Sequence, residues 1–158
     1  MWIIAIAIGA VIVAVANIQY NRSREAENKK AMASQALVLL KPELQRNQEH
    51  LPERLEDVYT QVDPNPPFEI TAWQTVSGSQ LVTGIDSEIL TKLLEVYYQM
   101  TNANDLHSRY IDIVTGFENN LPSANKTKPL LQENLEAHYK RVQKQLDELL
   151  KLIDGEIG

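Results

Sequence analysis

Cysteine is absent from this chain. That excludes disulfides, thiolate metal sites, thiol nucleophiles and acylation on sulfur. Glycine and proline are few, six and seven in 158 residues, and most fall between periodic segments, leaving long stretches suited to helix. Histidine is scarcer still. His50, His107 and His138 lie on different expected segments, and none completes the Glu-x-x-His or His-x-x-x-His spacing that puts metal ligands on one helix face. Ser77-Gly78-Ser79 lacks the lysine and second glycine of a phosphate loop and reads as a turn. Asp86 with Glu88, and Glu118, read as helix-start and surface carboxylates. No set of nucleophile, base and stabiliser can be assembled, so neither an enzyme nor a cofactor is expected.

Basic charge is also in deficit, 15 Lys and Arg against 21 Asp and Glu, a net of −6. An acidic chain argues against nucleic acid as a partner, because phosphate binding needs a basic face. Residues 1–20 carry no charged side chain at all. Trp2, Ile3, Ile4, Ile6, Ile8, Val11, Ile12, Val13, Val15 and Ile18 make a run that just meets the roughly 17 residues a membrane span requires. The run reads as a transmembrane helix, with Trp2 and Tyr20 at its two ends as interfacial aromatics. Ala14-Val15-Ala16 fits a signal-peptide cleavage site, but no Lys or Arg precedes the run, so an uncleaved anchor in the bilayer is expected. Arg22, Arg24, Lys29 and Lys30 follow it. By the positive-inside rule they face the headgroups on the cytoplasmic side, which predicts a single-pass cell-membrane protein with its domain in the cytoplasm.

Beyond the anchor, residues 21–62 read as a juxtamembrane helix bent at Pro42. Ala33, Leu37, Leu40, Leu44, Asn47 and Leu51 follow a 4-3-4-3-4 spacing that puts all six on one face. Pro52 suits the first turn of a new or re-registered piece, with Leu55, Val58, Tyr59 and Val62 as its apolar face. Asn47 interrupts the seam, either as a buried polar group that fixes register or as an edge position. Residues 63–85 are a Pro-rich linker followed by a short helix, about Ile70 to Ser77, capped by Gly78 in the left-handed conformation with Trp73 turned inward. A hairpin over the same residues is the alternative, but a lone hairpin is marginal in water.

Residues 86–158 supply two long helices. Asp86 is an N-cap for a helix carrying Ile89, Leu90, Leu93, Leu94, Tyr97 and Met100, continuous through the polar patch Thr101–Asp105 to about Leu121. A loop, 122–127, precedes a last helix opened by Pro129. In it Leu135, Tyr139, Val142, Leu146, Leu149 and Ile153 repeat the 4-3-4-3-4 spacing of a coiled-coil-like helix–helix seam. The whole is all-α: a transmembrane helix continuing into an up-and-down bundle of three long helices and one short one. Trp73, Tyr97, Tyr98 and Tyr110 are the candidates for core or for a pocket between helices.

Three pieces of sequence resemble a loosely defined set of mostly bacterial proteins that carry one N-terminal anchor. They are Leu40, Glu43, Leu44 and Asn47, then Ala72, Trp73 and Gly78, then Leu94, Tyr98 and Asn102. The resemblance implies a helical fold and brings no activity with it.

The expectation is therefore a non-enzymatic, membrane-anchored helical bundle acting as adaptor, scaffold or accessory subunit. The last helix is the expected surface for a protein partner or self-association, and no small-molecule ligand is expected. A ligand-sensing bundle that signals to the membrane, or an extracytoplasmic envelope or lysis-type protein, are the alternatives.

Overall fold

A computed structural model of the chain describes residues 2–60, 65–115 and 124–157. Every regular element among them is helical: α1 (Trp2–Thr60), α2 (Thr71–Ser77), a 3₁₀ turn (Gln80–Gly84), α3 (Ser87–Thr115) and α4 (Ala124–Ile157). The protein is all-α, and residues 71–84 form helix and 3₁₀ turn where a hairpin was the alternative.

The three long helices alternate with a short return leg. α1 and α4 are antiparallel, as Lys41 with Asp154 at 2.7 Å and Gln48 with Asp147 show. α3 and α4 are antiparallel too, joined by Lys92 to Glu148 at 3.3 Å and by His138 to Gln99 at 2.8 Å. α1 and α3 thus point the same way. Residues 65–86 run back along α1 between them, from Asn47 at one end to Lys29 at the other. This is an up-and-down bundle whose second leg is an extended segment, two turns of helix and a 3₁₀ turn.

The 4-3-4-3-4 rows form the core. Leu37, Leu40, Leu44 and Leu51 of α1 meet Leu93, Val96 and Met100 of α3 and Val142, Leu146, Leu149 and Ile153 of α4, all at most 1 % exposed. Burying one such side chain stabilises by roughly 1.5–3 kcal/mol, and this stripe, not intrinsic propensity, holds the helices.

α1 runs through Pro42 and Pro52 as one helix of 59 residues, roughly 90 Å of rise. Pro42 and Val38, whose carbonyl loses its bond to the missing N–H, both lie on the outward face, where water replaces the lost partner. The return leg reaches α1 first at Lys29 and Ala33, and residues 15–31 are exposed along their whole length.

Two expected helix ends are corrected, and a third lies outside the described residues. Gly78 is right-handed, φ −81°, and α2 closes through the Gly78 N–H bonding the Gln74 carbonyl at 3.3 Å and the Ser79 N–H bonding the Val76 carbonyl at 3.1 Å, so no left-handed cap is required. α4 begins at Ala124, before Pro129, which sits inside the helix on an exposed face. α3 is described to Thr115, and the expected positions Phe117, Glu118 and Leu121 lie outside the described residues. Asp86 does cap α3, its Oδ1 accepting from the Glu88 N–H at 2.8 Å.

The placement in a cell membrane is overturned. Among the described residues no helix is long and apolar enough to cross a membrane. From Val15 onward, α1 carries Arg22, Arg24, Glu25, Glu27, Lys29 and Lys30 in less than three turns, too much charge for a hydrocarbon core. Val15 and Ile18 are exposed. The side chains of Trp2, Ile3, Ile4, Ile6, Ile8, Val11, Ile12 and Val13 lie outside the described residues. Arg22, Arg24, Lys29 and Lys30 lose their headgroup role with the span. Lys29 pairs with Glu25 at 3.1 Å, and the Arg24 guanidinium lies 5.7 Å from the Tyr20 ring centroid.

Candidate functional site

The polar groups of the interior converge where the return leg crosses between α1 and α3. α2 begins without a cap of its own: Ile70 stands at its N-cap and offers no side-chain acceptor. Glu43, one turn before Asn47 on α1 and 2 % exposed, supplies one across the bundle. Its Oε2 accepts from the Ala72 N–H at 2.6 Å, and its Oε1 accepts from the Trp73 N–H at 3.3 Å and the Tyr97 hydroxyl at 2.9 Å. A buried carboxylate needs such donors to offset its lost hydration, and two backbone N–H groups of a helix start are well suited to it. Burial and the neighbouring Glu43 carboxylate push the Tyr97 hydroxyl far above the ordinary tyrosine range, so it stays protonated and remains a donor.

Two asparagines hold the extended residues before α2. Asn104 of α3 accepts from the Phe68 N–H at 3.0 Å and donates to the Phe68 carbonyl at 2.9 Å. Asn47 of α1 accepts from the Glu69 N–H at 2.9 Å and donates to the Glu69 carbonyl at 2.8 Å. Each amide thus pairs with both backbone groups of one residue, and consecutive residues are taken from opposite sides. A segment after three prolines has no helix or sheet to satisfy its backbone, so side chains must do it. Phe68 is driven inward against Tyr139, with ring centroids 5.4 Å apart at 87°, and Glu69 pairs outward with Arg46 at 2.9 Å.

Of the four candidate aromatics, the structure brings two together. Trp73 lies flat on Tyr97, with centroids 4.8 Å apart at 9°, so each ring covers the other where a pocket was the alternative. Tyr110 is buried elsewhere, its hydroxyl accepting from Gln132 at 3.1 Å. Tyr98 faces outward, 65 % exposed, with Leu94 one turn before it at 53 %. The seam of α4, Leu135, Tyr139, Val142, Leu146, Leu149 and Ile153, is buried throughout against the rest of the chain. The apolar face made by these six residues is therefore consumed within the molecule.

Asn47 and Glu43 were legible as an interruption of the apolar row and as a member of the Leu-x-x-Glu-Leu-x-x-Asn stretch. Asn104 lay unremarked inside the polar patch of α3. Its one sequence signal is an amide in register with an inward-facing row. Among the described residues no group of His, Asp and Glu could hold a metal ion. His50 is exposed, 3.5 Å from Glu53, while the half-buried His138 bonds Gln99. No family model, no curated protein and no solved structure matches this chain.

Proposed function

We propose that this protein is a non-enzymatic adaptor, scaffold or accessory subunit that works through protein–protein contact. The observation that carries the reading is the pair Leu94 and Tyr98. They lie one turn apart on the outer face of α3, both more than half exposed, on a helix whose inner face is already filled. Tyrosine beside leucine offers apolar area with a polar tip, the composition favoured at interface centres over bare surface. The polar junction beneath them is used up in holding the chain's own return leg. It supports a rigid platform better than a reaction site, because each of its polar groups already faces a partner within the chain.

The test places a photo-crosslinking phenylalanine analogue at position 98 and, as control, at the exposed Asp112 of the same helix, in the producing cell. A discrete protein adduct at 98 and none at 112 is the expected result. Equal labelling at both, or none at either, overturns the reading. Leu94→Glu with Tyr98→Glu should abolish the partner complex of the wild-type chain without lowering the melting temperature, since neither side chain is in the core.

A further inference from the structure

α1 outruns the bundle it belongs to. The return leg first meets it at Lys29 and Ala33, and every residue from Val15 to Lys30 is exposed. Asn17, Asn21, Ser23 and Asn28 are poor helix formers, and about four unpacked turns of such sequence are marginal in water on propensity alone. A helix that persists there calls for a second helix against it.

The row open to one lies on the outward side, turned away from the buried Leu37, Leu40 and Leu44. Asn17, Tyr20, Arg24, Glu27, Ala31, Ser34 and Val38 are all exposed and follow a 3-4-3-4-3-4 spacing, the seam period of a two-stranded coiled coil. Tyr20 and Val38 are each more than half exposed. Glu25 and Lys29 pair with each other off this row, and Arg24 lies over the Tyr20 ring. Neither Arg24 nor Glu27 has an ion-pair partner among the described residues. Charge then decides direction. Parallel copies would set Arg24 on Arg24 and Glu27 on Glu27, like charges in adjacent layers. Antiparallel copies, related by a two-fold axis at the level between Glu25 and Ala26, set Arg24 of each copy opposite Glu27 of the other. The same register sets Tyr20 opposite Ala31, large against small, and Asn17 opposite Ser34, amide against hydroxyl. Each of these pairs sets an a position of one helix against a d position of the other. Val38, one heptad past Ala31, falls against the second helix before Asn17, within the stretch that carries no charged side chain.

We propose that α1 pairs with α1 of a second copy of this chain, antiparallel, along this outward row. The charged layers at the centre fix orientation at some cost in stability, and the tyrosine and valine layers on either side supply the apolar area. Each bundle lies on the far side of its own α1 from the seam, so the two copies meet without collision. The interface lies apart from Leu94 and Tyr98 on α3 and does not depend on the partner surface proposed there.

Because the chain has no cysteine, an introduced one reports on its own position alone. Full-length Tyr20→Cys and Ala31→Cys are each oxidised separately and as an equal mixture. The expected result is a covalent dimer in the mixture and little in either variant alone, since like positions then lie about 16 Å apart along the axis. Sedimentation of the unsubstituted chain at about 100 µM should give a dimer. Arg24→Glu and Glu27→Arg should each raise its dissociation constant about tenfold or more, and the two together should restore it, at one melting temperature throughout. Leu94→Glu with Tyr98→Glu should leave the dimer intact, which separates this face from the one on α3. A monomer at that concentration overturns the proposal. So does crosslinking of either variant alone as readily as the mixture, the mark of a parallel pair. Binding of the monomeric chain to phosphatidylcholine–phosphatidylglycerol vesicles in place of dimerisation would put lipid on this face and overturn it as well.

Discussion

Glu43 of α1 and Tyr97 of α3 meet in the interior at 2.9 Å, and the same carboxylate caps the start of α2. One side chain therefore ties three helices, and its loss leaves three donors without an acceptor. Glu43→Ala should destabilise by on the order of 3 kcal/mol, and Tyr97→Phe by about 1–2 kcal/mol. Denaturant unfolding of both and of the double variant measures this. Additive losses would mean that the two groups do not interact.

Asn47 and Asn104 hold residues 68 and 69 by their backbones, so either loss should act locally before it acts globally. Asn104→Ala should cost about 1–2 kcal/mol and raise hydrogen exchange at Phe68 and through α2, while α4 exchanges as before. Asn47→Asp keeps the acceptor for the Glu69 N–H but puts an oxygen against the Glu69 carbonyl, and should cost more than Asn47→Ser. A reversed order would show that the donated bond contributes nothing.

Gly84 is required by a close approach and not by its backbone angle, since among the described residues no glycine has positive φ. A Cβ there would run into the Lys29 carbonyl oxygen and the Ala33 nitrogen, both backbone atoms of α1 that have no rotamer to yield. Gly84→Ala should cost about 1–3 kcal/mol and loosen the 3₁₀ turn from α1. A wild-type melting temperature would sink this reading.

Val142 is fully buried in the α4 row. Val142→Asp puts an unpaired carboxylate into the core and should destabilise by on the order of 4 kcal/mol. Circular dichroism melting reads it, and because the row faces inward, the loss is of folding and not of a complex. A folded variant with native melting would contradict the core assignment.

Stability should depend modestly on pH through His138. Its folded value lies below the ordinary 6.5, through burial first and Arg141 second. The neutral form is the one favoured by folding, so its contribution is fully present above about pH 6.5 and is lost as pH falls through that value toward the folded one. His138→Gln should flatten the melting-temperature profile between about pH 5 and 7. The same slope in the variant would assign it to other groups.

The two 4-3-4-3-4 rows, the Asp86 cap and the helical return leg were legible because periodicity and capping are local properties, written within a few turns of chain. The all-α class and the inward rows of α1 and α4 were thus determined by the sequence alone. The charge-free run at the N-terminus was equally plain as composition, yet a membrane span is not carried by any described helix. Tertiary structure alone decided which polar residues matter. Glu43, Asn47 and Asn104 look like three unrelated interruptions until residues 65–86 fold back between α1 and α3, because their partners lie 22 to 54 residues away. The same holds for the outward pair Leu94 and Tyr98. Helical spacing places Leu94, like Leu93, near the apolar face, and only the position of α4 along the other flank leaves Leu94 and Tyr98 uncovered. Local interactions choose the helix; the order in which helices cover one another chooses the surface.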